Sequence, residues 1–315
     1  TPEIVTAALD RHVHGGGLGA SDYSRYLSGL PQNSLIDVFG NLAGELSTSR
    51  ASKARSVPWV AAIRGYGAAI IATRSGLTFQ FRLDTTGRAL SSSQLPIAGG
   101  NSAPSFAGTM PITAALNDPS QVFAFAEGAE QSASPTGYAK FLSRQAAVRA
   151  KTGVDLTSLA KLLTGDLIVA SDTHVTIGRA AVSDPGTAAR DLAKLVTQPR
   201  SVFSTATSVS KLGGGFYALK ERRQTITVGV AANELVAGRA SAAVLKAFAA
   251  APTTPAAGAQ GGFAFRISLA QLLGTRIKGA ASKIIQSVLA SLGDLTGWTA
   301  TSSTALTGSA TLALK

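Results

Sequence analysis

Three groups of residues in this sequence have types and spacings that could support chemistry. His14 precedes three glycines, as in the oxyanion loop of some lipases and esterases. Ser158 and Lys161 have the Ser-x-x-Lys spacing in which a lysine helps to deprotonate a serine. Asp10, His12 and His14 alternate, so on an extended segment they would share one face and could hold a metal ion.

None of these groups is complete. The esterase fold also needs a Gly-x-Ser-x-Gly elbow, which this chain lacks. The triplet Lys151-Thr-Gly lies upstream of Ser158, whereas penicillin-binding enzymes need it downstream on a strand. The third histidine, His174, falls in a predicted turn. We therefore predict no catalytic residue, no metal site and no cofactor, and we interpret the chain as a non-enzyme.

The composition limits the classes of partner. The chain has 315 residues, of which 45% are hydrophobic and only 15% charged, so it can form a sizeable core. Its net charge of +12 is spread out, which favours solubility first and an anionic membrane or cell-wall surface second. Specific nucleic-acid binding is not expected, because basic and aromatic residues do not interleave. The absence of cysteine excludes disulfides and thiolate chemistry.

Alternating apolar residues are the clearest structural signal. Leu77, Phe79, Phe81 and Leu83 alternate with polar residues, which predicts a strand with one buried apolar face. The range 122–126 looks like another strand. We expect the phenylalanines on such strands to fill a core or, in the sharper hypothesis, to line a cavity for an apolar ligand: Phe79, Phe81, Phe123, Phe125, Phe216, Phe263 and Phe265.

A helical stripe downstream adds candidates for that cavity. Apolar residues between Ile277 and Leu289 recur at helical spacing, and Ile284 and Val288 are its predicted ligand-lining members. Arg276, Lys278 and Lys283 lie near its start, so the helix is interpreted either as a lid, as an interface-lying helix or as one docked on a sheet.

The order of elements predicts an α+β fold: curved antiparallel sheets built from hairpins and meanders, covered by helices on one face. Apolar residues from Leu35 to Leu46 predict a helix, residues 96–120 an irregular connection, and residues 251–262 a spacer. Residues 1–110 are predicted to form a helical segment plus β-hairpin, and residues 111–315 an α+β domain. The two are expected either as separate domains or as one continuous unit.

Residues 110–315 carry a recognisable series of short motifs. They are Gly153-Val-Asp-Leu, Leu163-Thr-Gly-Asp, Val182-Ser-Asp-Pro, Leu192-Ala-Lys-Leu and Leu295-Thr-Gly-Trp. This series resembles a family of exported, often lipid-anchored bacterial envelope proteins, catalogued as a domain of unknown function, and the composition looks actinobacterial. The resemblance implies a location outside the cytoplasmic membrane and an α+β fold with curved antiparallel sheet.

These observations lead to a functional expectation. The chain is predicted to be a non-enzymatic envelope protein that binds a hydrophobic or amphipathic, lipid-like ligand. Affinity would come from buried apolar area, with a few arginines or lysines contacting an anionic head. A solvent-open pocket of some hundreds of Å³ would agree with this. The alternative is a structural subunit of the cell surface or of an extracellular filament, in which strand edges pair between copies as a homo-oligomer.

Overall fold

The computed structural model describes residues 19–85, 90–97, 103–199, 206–222, 224–274 and 291–315. The α-helices in these segments, numbered here in chain order, are α1 (Ala20–Tyr26), α2 (Leu42–Leu46), α3 (Ser52–Arg55), α4 (Pro58–Ala62), α5 (Pro119–Ala133), α6 (Pro135–Thr152), α7 (Leu156–Lys161), α8 (Pro185–Val196), α9 (Ala242–Ala250) and α10 (Leu269–Gly274). Short 3₁₀ turns span Ser49–Ala51 and Ser92–Gln94.

The strands form one large sheet and one small one. They are β1 (Ile36–Asn41), β2 (Gly65–Thr73), β3 (Gly76–Asp84), β4 (Ser105–Ala107), β5 (Ile112–Asn117), β6 (Leu163–Ser171), β7 (Thr176–Val182), β8 (Ala206–Gly213), β9 (Phe216–Glu221), β10 (Thr225–Ala231), β11 (Glu234–Gly238), β12 (Thr253–Pro255), β13 (Phe263–Ser268), β14 (Leu292–Thr301) and β15 (Ala305–Leu314). The large sheet is open and has thirteen strands, ordered β1-β2-β3-β15-β14-β13-β5-β6-β7-β11-β10-β9-β8. Strands β12 and β4 form the small sheet.

The prediction of an α+β fold on antiparallel sheet is confirmed. Neighbouring strands run antiparallel throughout, and the meander β9–β10–β11 and the closing hairpin β14–β15 lie where the sequence indicated. Strand β3 pairs with β15 along nine positions, so strands from the first third of the chain share a sheet with the last strand.

The large sheet has two chemically different faces. Residues directly opposite on paired strands point to the same side, so the registers define both faces. One side carries Thr78, Thr311, Thr296 and Arg266 in a row and is called the cavity face. The other carries Phe79, Phe81, Phe263 and Phe265 with small residues between them; it is called the aromatic face.

Helices contact both faces at β11, whereas the sequence predicted one covered face. Val236 packs on the cavity face in a cluster with Leu245 and Phe248 of α9. Its neighbours Leu235 and Ala237 point to the other side, where they pack against a cluster containing Leu192 and Val196 of α8. Strand β11 is therefore apolar at both sides, and it is buried between two helices.

The predicted strand at residues 122–126 is wrong, because this segment lies inside helix α5. Asp118 accepts a hydrogen bond from the Gln121 backbone N–H, and Pro119 occupies the first turn. An N-cap followed by proline begins a helix, and this start signal outweighed the alternation of Phe123 and Phe125.

The predicted helix at residues 35–46 is also wrong in its first half. Ile36–Asn41 form strand β1, which pairs with β2 at six successive positions, and only Leu42–Leu46 are helical. Residues 96–120 likewise include strand β5, which lies between β13 and β6 near the middle of the sheet. Pairing with distant strands overrides local spacing in both segments.

Candidate functional site

A cavity of about 870 Å³ lies on the cavity face of the sheet. Its floor is built by strands β3, β15, β14 and β13. Its wall is the segment 251–260, called here the wall segment, together with Phe106, Gly108 and Thr109. The predicted spacer at residues 251–262 is thus part of the cavity wall, and its β12 strand is held by pairing with β4.

The floor is a row of hydroxyl groups that ends in a cation. Thr78 lies opposite Thr311, Thr311 opposite Thr296, and Thr296 opposite Arg266. We call these four residues the hydroxyl row. The Oγ1 atoms of Thr78 and Thr311 are 3.0 Å apart and hydrogen-bonded. Strand spacing places such groups about 4.8 Å apart across the sheet, so the row offers repeated hydrogen-bonding groups to one ligand.

A second row beside it adds an aromatic surface. Gln80 lies opposite Ser309, and Ser309 opposite Trp298, on the same side as the hydroxyl row. All three residues line the cavity. The wall segment is chemically different, since it is dominated by alanine, proline and glycine. The cavity therefore has one polar side and one mostly apolar side.

The start of the wall segment is held by a buried arginine. Arg179 on β7 is 3% exposed, and its Nη1 donates to the carbonyl oxygens of Phe248, Ala249 and Ala251, at 2.5, 2.8 and 2.9 Å. A cation at a helix C-terminus also interacts favourably with the helix dipole. Arg179 therefore fixes the end of α9, from which the wall segment departs.

Glu234 on β11 and Asp166 on β6 lie on the cavity face of the large sheet but do not line the cavity. Burial raises the pKa of the Glu234 carboxyl, partly opposed by Arg179, and Glu234 Oε2 is buried with no hydrogen-bond partner. Burial also raises the pKa of Asp166, whose Oδ2 accepts from the Ser105 N–H at 2.7 Å. That bond holds β4 against the sheet, so the role visible for Asp166 is structural.

The predicted phenylalanines are not brought together around this cavity. Phe79 is 44% exposed on the aromatic face and stacks on Phe81 at 6.1 Å between ring centroids. Phe263 and Phe265 lie on the same face of β13, 6.3 Å apart. Phe265 belongs to a floor strand and is among the lining residues, but its side chain points away from the cavity.

The rings of the aromatic face lie over glycines of neighbouring strands. A Cβ built on Gly308 would be 2.4 Å from the Phe81 ring, and one on Gly297 would be 2.4 Å from the Phe265 ring. Each ring fills the space that a side chain would otherwise occupy. Among the described residues, the alternation of these phenylalanines therefore reflects packing across the sheet.

The remaining candidates have other surroundings. Phe216 is fully buried in the core with Leu245, so it packs the interior. Phe123 is 52% exposed on helix α5, and Phe125 lies on the same helix. Ile284 and Val288 lie outside the described residues.

The catalytic patterns seen in the sequence do not form a site in the described segments. Ser158 and Lys161 are both exposed on α7, where Ser158 N–H donates to the capping Asp155. His174 lies in the β6–β7 turn, where its N–H donates to Asp172; this bond and the one from Val175 lower the pKa of Asp172. The described residues hold no cluster of three potential metal ligands. Asp10, His12 and His14 lie outside them.

Sequence reasoning missed the residues that do form the cavity. The alternation along β3 predicts only that Thr78 and Gln80 lie on the polar side of a strand, and no sequence pattern points to Arg266, Ser309 or Thr311. The signal was present, since polar residues alternate with apolar ones along β3 and β15. Only the register shows that these polar positions align across four strands.

No known protein-family profile matches the chain, and no curated protein is significantly similar to it. Two solved structures show a weak likeness, "Structure of crystal form IV of TP0453" and "Structure of crystal form I of TP0453". Each is 11% identical over 62% of this chain, covering 73% and 71% of the respective structures, with TM-scores of 0.30 and 0.31. Scores this low do not indicate a shared fold, and they carry no information about function.

Proposed function

We propose that this protein is a non-enzymatic, extracytoplasmic binding protein whose cavity holds an amphipathic, lipid-sized ligand. The observation that carries the proposal is the two-sided lining: hydroxyl, amide and guanidinium groups on the sheet floor, and alanine and proline on the wall segment. A ligand with one polar and one apolar side satisfies both, whereas a pure hydrocarbon would leave the floor groups without partners.

The size of the cavity supports a ligand larger than a metabolite fragment. Small-molecule sites are typically about 300–1,000 Å³, and the cavity of about 870 Å³ lies near the upper end. The tail would be stabilised by burial against Ala251, Pro252 and Ala259, at roughly 25 cal/mol per Å² of apolar surface removed from water.

The chemistry of the lining favours binding over catalysis. Among the lining residues, Arg266 is the one with a charged side chain. Thr78, Ser309 and Thr311 supply hydroxyls, but the lining includes no histidine, carboxylate or lysine that could act as their general base.

The extracytoplasmic location is proposed from the sequence resemblance to exported envelope proteins. None of the described helices is long and apolar enough to cross a membrane. The net charge of +12 agrees with a place beside an anionic membrane or cell wall.

The test uses the full chain and a twelve-carbon amphiphile. Trp298 lines the cavity, so in a Trp59→Phe background its emission reports on binding of dodecanoate below its critical micelle concentration. Native mass spectrometry before and after organic extraction identifies a co-purifying lipid and its stoichiometry. We expect one dodecanoate per chain.

A blocking variant and a matched control locate the binding. Thr311→Phe places a ring in the floor and is expected to weaken binding about tenfold or more. Thr304→Phe makes the same chemical change in the exposed β14–β15 turn and is expected to leave binding unchanged. Equal affinity of Thr311→Phe and the parent would refute binding in this cavity, as would no binding of dodecanoate by the parent.

A further inference from the structure

Arg266 is a cation in the cavity without an anionic partner. Its guanidinium lies 5.6 Å from the centre of the Phe106 ring, and among the described residues it forms no ion pair and no side-chain hydrogen bond. A phenylalanine ring has no oxygen or nitrogen atom that could accept a hydrogen bond. The N–H groups of Arg266 therefore remain able to donate hydrogen bonds to a ligand.

Other arginines on the same face are differently placed. Arg82 lies 3.9 Å from a carboxylate oxygen of Asp84, and Arg179 donates to backbone carbonyls. Both guanidinium groups therefore already have partners within the folded protein. Arg266 differs because it contacts an aromatic ring and lines the cavity instead.

The surroundings of Arg266 fit an anion in particular. No lining residue is acidic, so no carboxylate competes for the guanidinium inside the cavity. Thr296 lies directly opposite Arg266 on β14 and can donate a hydroxyl hydrogen to the same anion. Stacking on Phe106 limits the positions of the guanidinium, which presents a planar pair of donors suited to carboxylate or phosphate oxygens.

The geometry points to Arg266 as the residue that binds an anionic head group, so the ligand class is an amphiphile ending in a carboxylate, phosphate or sulfate. This rests on the proposed function. The head lies at the Arg266 end of the hydroxyl row, with the apolar part of the ligand against the wall segment. Arg266 thereby determines specificity, since a neutral head of the same size leaves its charge unpaired.

The test compares two ligands with the same tail and different heads. Dodecanoate and dodecanol are titrated into the full-length Trp59→Phe protein, with Trp298 emission as the readout. We expect dodecanoate to bind about tenfold or more tightly than dodecanol, the minimum difference for a charge-assisted hydrogen bond. In Arg266→Gln this preference should disappear, while dodecanol affinity stays unchanged. Arg74→Gln, an equal change of charge in the exposed β2–β3 turn, should retain the preference.

The outcomes distinguish a failure of the role of Arg266 from a failure of the proposed function. If both ligands bind the parent protein equally, the cavity holds an amphiphile but the role of Arg266 is refuted. If neither binds, the proposed function fails, and the inference fails with it. Displacement of dodecanoate by inorganic phosphate at similar concentration would place a free anion in the site and overturn the assignment to a lipid head group. Because the head-group comparison uses the parent protein, it remains decisive even if Arg266→Gln does not fold.

Discussion

Replacing Phe216 by alanine tests whether its ring is packed in the core while the ring of Phe79 is exposed. Phe216 is fully buried with Leu245 and Val236, and Lys246 Nζ lies 5.3 Å from its ring centre. Removing such a ring leaves a cavity, so Phe216→Ala should lower the free energy of unfolding by about 3–5 kcal/mol. Phe79→Ala removes the same ring from a position that is 44% exposed and should cost roughly 1 kcal/mol.

A third substitution makes the test specific to packing. A Cβ built on Gly229 would be 2.6 Å from the Phe216 ring, so Gly229→Ala should destabilise the parent protein by about 1–3 kcal/mol. In a Phe216→Ala background the same methyl enters the vacated space. It should then be neutral or stabilising, which gives a favourable coupling energy between the two sites.

Urea unfolding followed by far-ultraviolet circular dichroism measures the parent protein and the four variants, and a shift in midpoint at constant slope reports stability. Equal losses for Phe216→Ala and Phe79→Ala would show that the aromatic face is as buried as the core. Additive effects of Phe216→Ala and Gly229→Ala would show that the two residues are not in contact. The first result would refute the difference in burial between the two rings, and the second would refute the packing of Phe216 against Gly229.

Two further predictions concern the polar groups behind the wall segment. Arg179→Met removes the guanidinium donor from three carbonyl oxygens, of which that of Phe248 keeps the Ala251 N–H as a partner. The substitution should therefore cost about 3 kcal/mol and speed hydrogen exchange at residues 248–251, while the exposed Arg190→Met should do neither. Unchanged exchange in Arg179→Met would contradict the role of Arg179 in holding the end of α9. Burial raises the pKa of Glu234 above its unfolded value, so its protonation contributes stability at low pH that is lost as pH rises through the raised pKa. Glu234→Gln should therefore flatten the fall in stability as pH rises above 4.5, the ordinary pKa of a glutamate, without abolishing it, because burial also raises the pKa of Asp166. Glu130→Gln on the exposed side of α5 is the matched control for the loss of one carboxyl group. A slope for Glu234→Gln identical to that of the parent protein would refute the role of Glu234.

The strands around β3 show what alternation can and cannot predict. The spacing of Leu77, Phe79 and Phe81 correctly predicted a strand, because side chains alternate about an extended backbone. It also predicted that the apolar side is the buried one, which is wrong for Leu77 and Phe79, because the elements that cover each face decide which side is enclosed. The wall segment encloses the side of Thr78 and Gln80, and Phe79 stays exposed.

The cavity itself had no strong signature in the sequence. Threonines on β3, β14 and β15 are ordinary strand residues, and they become a row only because two strand registers align them. The alanines and prolines of residues 251–262 resemble a linker. They form a wall because β12 pairs with β4 and Arg179 fixes the preceding helix end. Long-range pairing therefore determines the site, and local composition does not.

The two edges of the large sheet bear on the structural-subunit alternative. Filament assembly through strand edges needs a regular, exposed edge on which another strand can continue the hydrogen-bond ladder. Strand β8 has two register irregularities against β9 and carries Lys211, and β1 is six residues long with Asp37 at its second position. Bulges, short length and charge are features that oppose edge-to-edge pairing. Within the described segments the geometry therefore favours a ligand enclosed by one chain over a polymer of many, and a monodisperse monomer in analytical ultracentrifugation is the corresponding expectation.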